Sequence, residues 1–202
     1  MDKLIMLGLA SSGSMRDETA ESIFNAQREG FPFPTILKFK RGPYIDHNRM
    51  GLVDLAREEK ATHLMFIDTD VTFAPWAIEQ LVEHEKMVVG ANYNFKTLSP
   101  PGAKELGVMP LVKLWNEEGN PKNITMEDLP PTLFKAYSVP AGFMLVEMKV
   151  FDLIGHPYFA NTWEGLKYTG EDVHFCEQVG KAGIEIWCDP TILIGHLGSY
   201  TY

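Results

Sequence analysis

Short apolar runs that alternate with helix-patterned segments constrain this chain more than any other feature. "KLIMLGLA", "TILKFK", "HLMFID" and "MVVGA" read as strands, the first and fourth apolar almost throughout. Between them lie segments of helical character. Asp17 to Glu29 carries acids in its first turn, which favours a helix start. Residues 46–60 place Leu52, Leu55 and Ala56 at helical spacing. Pro75 is suited to open a further helix that runs to about Glu85. Strands that are buried on both faces and separated by helices predict an α/β fold: a mostly parallel central sheet flanked by helices.

The middle of the chain changes character. Residues 97–104, "TLSPPGAK", and 116–132, rich in Pro, Gly, Asn and charge, read as loops, with "PLVKLW" as a short strand between them. Order returns with "GFMLVE" as a strand, a short helix near Phe151, a helix from Glu171, and the strands "IEIWC" and "TILIGH". There is no internal repeat and no linker-like composition. A length of 202 residues suits one domain, residues 1–202, with a real core.

Charge and cysteine usage exclude several classes. A formal net charge of -9 argues against an electrostatic grip on nucleic acid, where phosphate contacts dominate affinity. Cys176 and Cys188 follow no zinc spacing and make no secreted-type disulfide framework, so they read as buried free thiols. The run "LIMLGLA" is too short to span a bilayer, and Asp2 spoils the basic flank a signal peptide needs. A cytoplasmic protein without a membrane span is expected, and the "NIT" sequon at Asn123 is then a chance match.

Three acidic or imidazole features carry chemistry. In "FIDTDV", side chains at i and i+2 of a strand share a side, so Asp68 and Asp70 are expected to converge on one ligand. Ligands of open α/β sheets bind beyond the carboxyl ends of strands. Oxygen donors there favour Mg²⁺ or Mn²⁺, which keeps waters and shares phosphate oxygens. The same pair also suits a solvated strand end or a cap ahead of Pro75.

In "GEDVHFCEQVGKAG", Asp172, Phe175, Cys176 and Val179 follow an i, i+3, i+4, i+7 pattern. Asp172 is expected to crown the buried stripe, kept ionised by the helix N-terminus. Glu171, in line with His174 and Gln178, is expected to be more exposed. A carboxylate so held can accept a proton from a hydroxyl, although acids suit any first helical turn. His196 ends "PTILIGH"; an imidazole suits Mn²⁺ better than Mg²⁺, with a structural histidine as the alternative.

A strand ending in D-x-D, a later Gly-Glu-Asp helix and a late His follow the order found in the GT-A fold glycosyltransferases, and the chain resembles their family-two-like and mannosylglycerate-synthase-like members. "YIDHNRMGLVDLAREEKATHLMFIDTDVTFAPWAIEQLV", "VPAGFMLVEMKVFDLIG" and "GEDVHFCEQVGKAGIEIWCDPTILIGHLG" carry the resemblance. It implies that Asp70 binds the metal, that Asp68 meets the metal or the nucleotide ribose, and that His196 completes the protein ligands of Mn²⁺ (or Mg²⁺). It implies that Ala10, Ser11 and Ser12 approach the base and ribose, and that Arg49 lies near the diphosphate. The Asn that follows this Arg in similar proteins is replaced here by Met50. Ala141 and Gly142 would let backbone N–H groups approach the donor sugar, and Asp172 with Glu171 would activate the acceptor or hold the donor.

The activity so implied is metal-dependent transfer of a sugar from a UDP- or GDP-linked donor to an unidentified acceptor. The chain ends shortly after His196, which on this reading makes it a minimal catalytic core. Two alternatives share the fold. A nucleotidyltransferase would normally have a Gly-rich basic loop after the first strand, where "SSGSMRD" stands instead. A non-catalytic nucleotide-sugar-binding protein would have less need of Asp68, Asp70, Asp172 and His196 together.

Overall fold

A computed structural model describes residues 3–94 and 109–198. The elements in chain order are β1 (Ile5–Ser11), α1 (Asp17–Glu29), β2 (Thr35–Arg41), α2 (Ile45–Glu58), β3 (His63–Asp68), β4 (Val71–Thr72), α3 (Ala77–Glu83), β5 (Val88–Ala91), β6 (Lys113–Trp115), β7 (Pro121–Asn123), β8 (Phe134–Ala136), β9 (Phe143–Glu147), α4 (Val150–Leu153), β10 (Thr162–Glu164), β11 (Lys167–Thr169), α5 (Glu171–Lys181), β12 (Ile186–Asp189) and β13 (Gly195–His196).

Seven strands form the central sheet, in the order β2-β1-β3-β9-β5-β12-β8. Side chains alternate across it, as the two-residue period of a strand requires. Ile5, Leu7 and Leu9 of β1 join one core cluster with Ile23 of α1 and Ile78 and Leu81 of α3. Met6 and Ala10 join another with Leu52 and Val53 of α2 and Phe175 and Val179 of α5. Helices thus cover both faces, as the apolar strands predict.

The expectation of a mostly parallel sheet is corrected. β2–β1, β1–β3 and β5–β12 pair in parallel, but β3–β9, β9–β5 and β12–β8 pair antiparallel. β9 inserts between β3 and β5 and splits a run that its apolar sequence left looking uniform. A buried strand carries the same composition whichever way it runs, so direction is not legible in "GFMLVE".

Smaller differences concern ends and short pieces. α3 begins at Ala77, with the Ala77 N–H donating to the Ala74 carbonyl in a turn that holds Pro75. Within "TILIGH" only Gly195–His196 is a strand, paired with β4. The segment 116–132, read as loop, contains β7, which pairs with β6. The loop expected at 97–104 lies outside the described residues. Among the described residues no helix is long and apolar enough to cross a membrane.

Candidate functional site

The site lies at the carboxyl ends of β1 and β3. The chain leaves β1 to one side for β2 and returns on the other for β3, so these ends flank a topological switch point, where open α/β sheets bind ligands. Ala10 sits opposite Asp68 in the register, which brings the loop of Ser11 and Ser12 beside the Asp-Thr-Asp turn. Asn48 fixes that loop: its side-chain amide donates to the carbonyls of Ser11 (3.1 Å) and Gly42 (2.9 Å).

Arg49 is the centre of the cluster. It shares the buried stripe of α2 with Leu52, Val53 and Ala56, and is only 3% exposed. Its Nη2 donates to Asp68 Oδ1 at 2.9 Å and its Nη1 to Glu171 Oε1. One guanidinium therefore ties the end of β3 to the start of α5. Burial works against its charge, but Asp68 and Glu171 more than offset this and raise its pKa. Glu171, expected on an exposed stripe, instead turns inward, because the buried cation outweighs helical position in a first turn. Burial pushes its carboxyl above the ordinary range, Arg49 pulls the other way, and Asp172 and Asp68 repel it. The two partners respond unequally because Arg49 meets two carboxylates while Glu171 shares one cation.

Tyr93 closes the far side of Asp68. Its hydroxyl approaches Asp68 Oδ2 at 3.4 Å and accepts the Gly142 N–H at 3.0 Å. Burial and then the Asp68 charge push the phenol well above its usual pKa. The Asp68 N–H donates to the Gly142 carbonyl at 2.8 Å. A Cβ on Gly142 would run into both the Tyr93 hydroxyl and the Asp68 carboxylate. Both backbone groups of Gly142 are thus engaged within the protein, and its missing side chain makes room for Tyr93. Ala141 beside it is buried. Tyr93 and Asn48 carry no motif that marks them in the sequence; for Arg49, its place on the apolar stripe of α2 signals burial.

Asp70, just before β4, and His196, at the end of β13, are brought together where these two strands pair. β3 ends at Asp68, so strand alternation does not extend to Asp70. His196 Nε2 lies 3.8 Å from Asp70 Oδ1. His196 Nδ1 lies 2.8 Å from the Asn94 carbonyl, which can only accept. Nδ1 therefore carries a hydrogen, and Nε2 is the ring nitrogen turned toward Asp70. The His196 ring meets the Tyr93 ring edge-on at 4.8 Å, which links this pair to Asp68. Asn94 Oδ1 is buried beside it with no hydrogen-bond partner among the described residues.

Among the described residues no group of three or more His, Cys, Asp or Glu side chains is arranged to hold a metal ion. Asp68 is turned to Arg49 and Tyr93, so the three expected ligands are not brought to one point. Among the described residues, the Asp70–His196 pair has the spacing for a hard cation: an ion about 2.1 Å from each donor reaches both. Asp172 accepts the Val173 N–H at 2.7 Å at the start of α5.

No family model matches the chain, and no curated protein matches it. Among solved structures, the crystal structure of A197 from STIV is similar, with a TM-score of 0.63 over 96% of this chain and 86% of that chain, at 16% sequence identity. At that identity the likeness carries the fold, an α/β domain with a large central sheet flanked by helices, and nothing about activity.

Proposed function

We propose that the chain is a metal-dependent glycosyltransferase of GT-A type, which moves a sugar from a UDP- or GDP-linked donor to an acceptor hydroxyl. The observation that carries this reading is the His196–Asp70 pair, with His196 Nδ1 held by the Asn94 carbonyl and Nε2 turned to the Asp70 carboxylate. It stands beside a cluster in which the one guanidinium of Arg49 is shared by Asp68 and Glu171, with Asp172 next to them. Among the described residues, the carboxylates of Asp68, Asp172 and Glu171 meet one guanidinium, an acidic setting that attracts a divalent ion, and through it a diphosphate.

Asp70 and His196 would hold Mn²⁺ or Mg²⁺, which when bound stabilises the charge of the departing diphosphate as a Lewis acid. Asp68 has both oxygens engaged by Arg49 and Tyr93, so it fits the nucleotide ribose better than the metal. The backbone of Ala10, Ser11 and Ser12 borders the same crevice and suits base and ribose. Arg49 lies behind the carboxylates as their counter-ion, so its role is to orient Asp68 and Glu171. Asp172 is the base: it accepts the acceptor hydroxyl proton as that oxygen bonds to the sugar C1 and the C1–O bond to the diphosphate breaks.

The test is thermal. UDP or GDP with Mn²⁺, at roughly 100 times Kd, is expected to raise Tm by about 5–10 °C. Asp70→Ala should remove the shift, and Asp172→Asn should keep it while losing transfer. Absence of any nucleotide- and metal-dependent shift in the unaltered protein would overturn the reading.

A further inference from the structure

A small hairpin, β10–β11, stands directly before α5. Its register sets Trp163 opposite Tyr168, so both rings share one face, and they touch at 5.1 Å between centroids. Glu164 and Lys167 pair on the other face. The two rings are held in place yet open to solvent, Trp163 at 68% and Tyr168 at 53%.

The rim of this aromatic surface is rich in hydrogen-bond acceptors, with Asp46 and Asn161 on one side. The Tyr168 hydroxyl donates to Asn161 Oδ1 at 2.6 Å, and Asn161 Nδ2 lies 3.5 Å from Asp46 Oδ2. The surface also reaches the proposed base. The point that a Cβ on Gly170 would occupy is 4.0 Å from Tyr168 Cε1 and 3.2 Å from Asp172 Oδ1. Ring and carboxylate therefore border one space, which Gly170 leaves open. Burial, then the nearby charges of Glu171, Asp172 and Asp46, push the Tyr168 phenol above its usual pKa.

The geometry points to Trp163 and Tyr168 as the acceptor platform, and to an uncharged carbohydrate as the acceptor that stacks on it. The inference rests on the glycosyltransferase reading. A sugar ring has an apolar C–H face to lay on aromatic rings and a rim of hydroxyls to donate to Asp46, Asn161 and Asp172, whose oxygens accept. One such hydroxyl lies beside Asp172, where transfer needs it. A phosphorylated acceptor would meet Asp46, Glu171 and Asp172 at once, while Lys167 is on the opposite face of the hairpin.

Titration of the full chain, with Mg²⁺ and UDP or GDP present, against neutral gluco-, manno- and galacto-oligosaccharides by saturation-transfer NMR tests this directly. At least one series is expected to bind. Affinity should fall about tenfold in Trp163→Ala and in Tyr168→Ala, the effect of losing a ring-sized apolar contact, and should return in Trp163→Phe. Unaltered Tm values check that the exposed hairpin variants still fold. Oligosaccharide binding that ignores Trp163→Ala, absence of binding in every series, or preference for a phosphorylated sugar would each overturn the platform. The donor site fails separately: an unaltered protein that binds oligosaccharide through Trp163 but shows no nucleotide-dependent Tm shift would keep the platform and lose the transferase reading.

Discussion

Arg49 decides more than any other single residue. Two carboxylates at the mouth of a sheet are costly to bury, and one guanidinium bridges them, Nη2 to Asp68 and Nη1 to Glu171. Arg49→Leu should leave Asp68 and Glu171 without a counter-charge and destabilise the fold by about 3–5 kcal/mol, read as a lower urea midpoint. Arg49→Lys should recover only part of this, because a point-like ammonium cannot bridge both acids in their present positions. Asp68 was legible from its place after an apolar strand. Its partner was only half legible: helical spacing with Leu52, Val53 and Ala56 puts Arg49 on the buried stripe of α2, but which acids it meets is decided only when α2 docks on the sheet.

Elements are joined by a second polar knot, remote from the site. Asp189 at the end of β12 is buried and accepts from His84 Nε2 (2.7 Å) and Gln80 Nε2 (2.7 Å) of the α3 region, and from Thr191 N (2.8 Å) and Oγ1 (2.6 Å). Burial alone would raise its pKa, but hydrogen bonds from Thr191, His84 and Gln80 outweigh it and hold the carboxyl below its ordinary 3.8. The native state thus holds this proton less tightly than the unfolded chain. The stabilisation is fully present above about pH 4 and is lost as pH falls through the lowered native value. Asp189→Asn should cost about 2 kcal/mol at pH 7. Denaturant melts from pH 5 to 2 should show the gap from the unaltered protein closing as pH falls; a constant gap would contradict the charge-based account. The helices and strands that this knot joins were readable from periodicity. The missed elements, such as β4, β8, β10 and β11, are two or three residues long, too short for a two-residue period to show.

At the scale of the whole molecule, both thiols lie inside the closed core. Cys176 packs against the cluster under α5 and Cys188 lies within β12, both fully buried. Burial pushes the Cys176 thiol up to about 12 and the Cys188 thiol higher still. Neither should react with a thiol reagent such as dithionitrobenzoate at neutral pH until the fold opens, so labelling rates should track denaturant-induced unfolding. Fast labelling of either cysteine in the native protein would contradict this packing.

Local pattern, then, was enough for the layered α/β class, most long elements, the buried thiols, and the acids at the end of β3 and the start of α5. Those features depend on residues near one another in sequence, where periodicity and turn chemistry act. The antiparallel insertion of β9, the sharing of Arg49 between Asp68 and Glu171, the closing of Asp68 by Tyr93 and the approach of Asp70 to His196 were decided only by tertiary structure. Each joins residues far apart in the chain, and each depends on which buried strand pairs with which. Composition does not encode that choice, because an apolar strand suits either neighbour and either direction; the packed core selects one arrangement and the site follows from it.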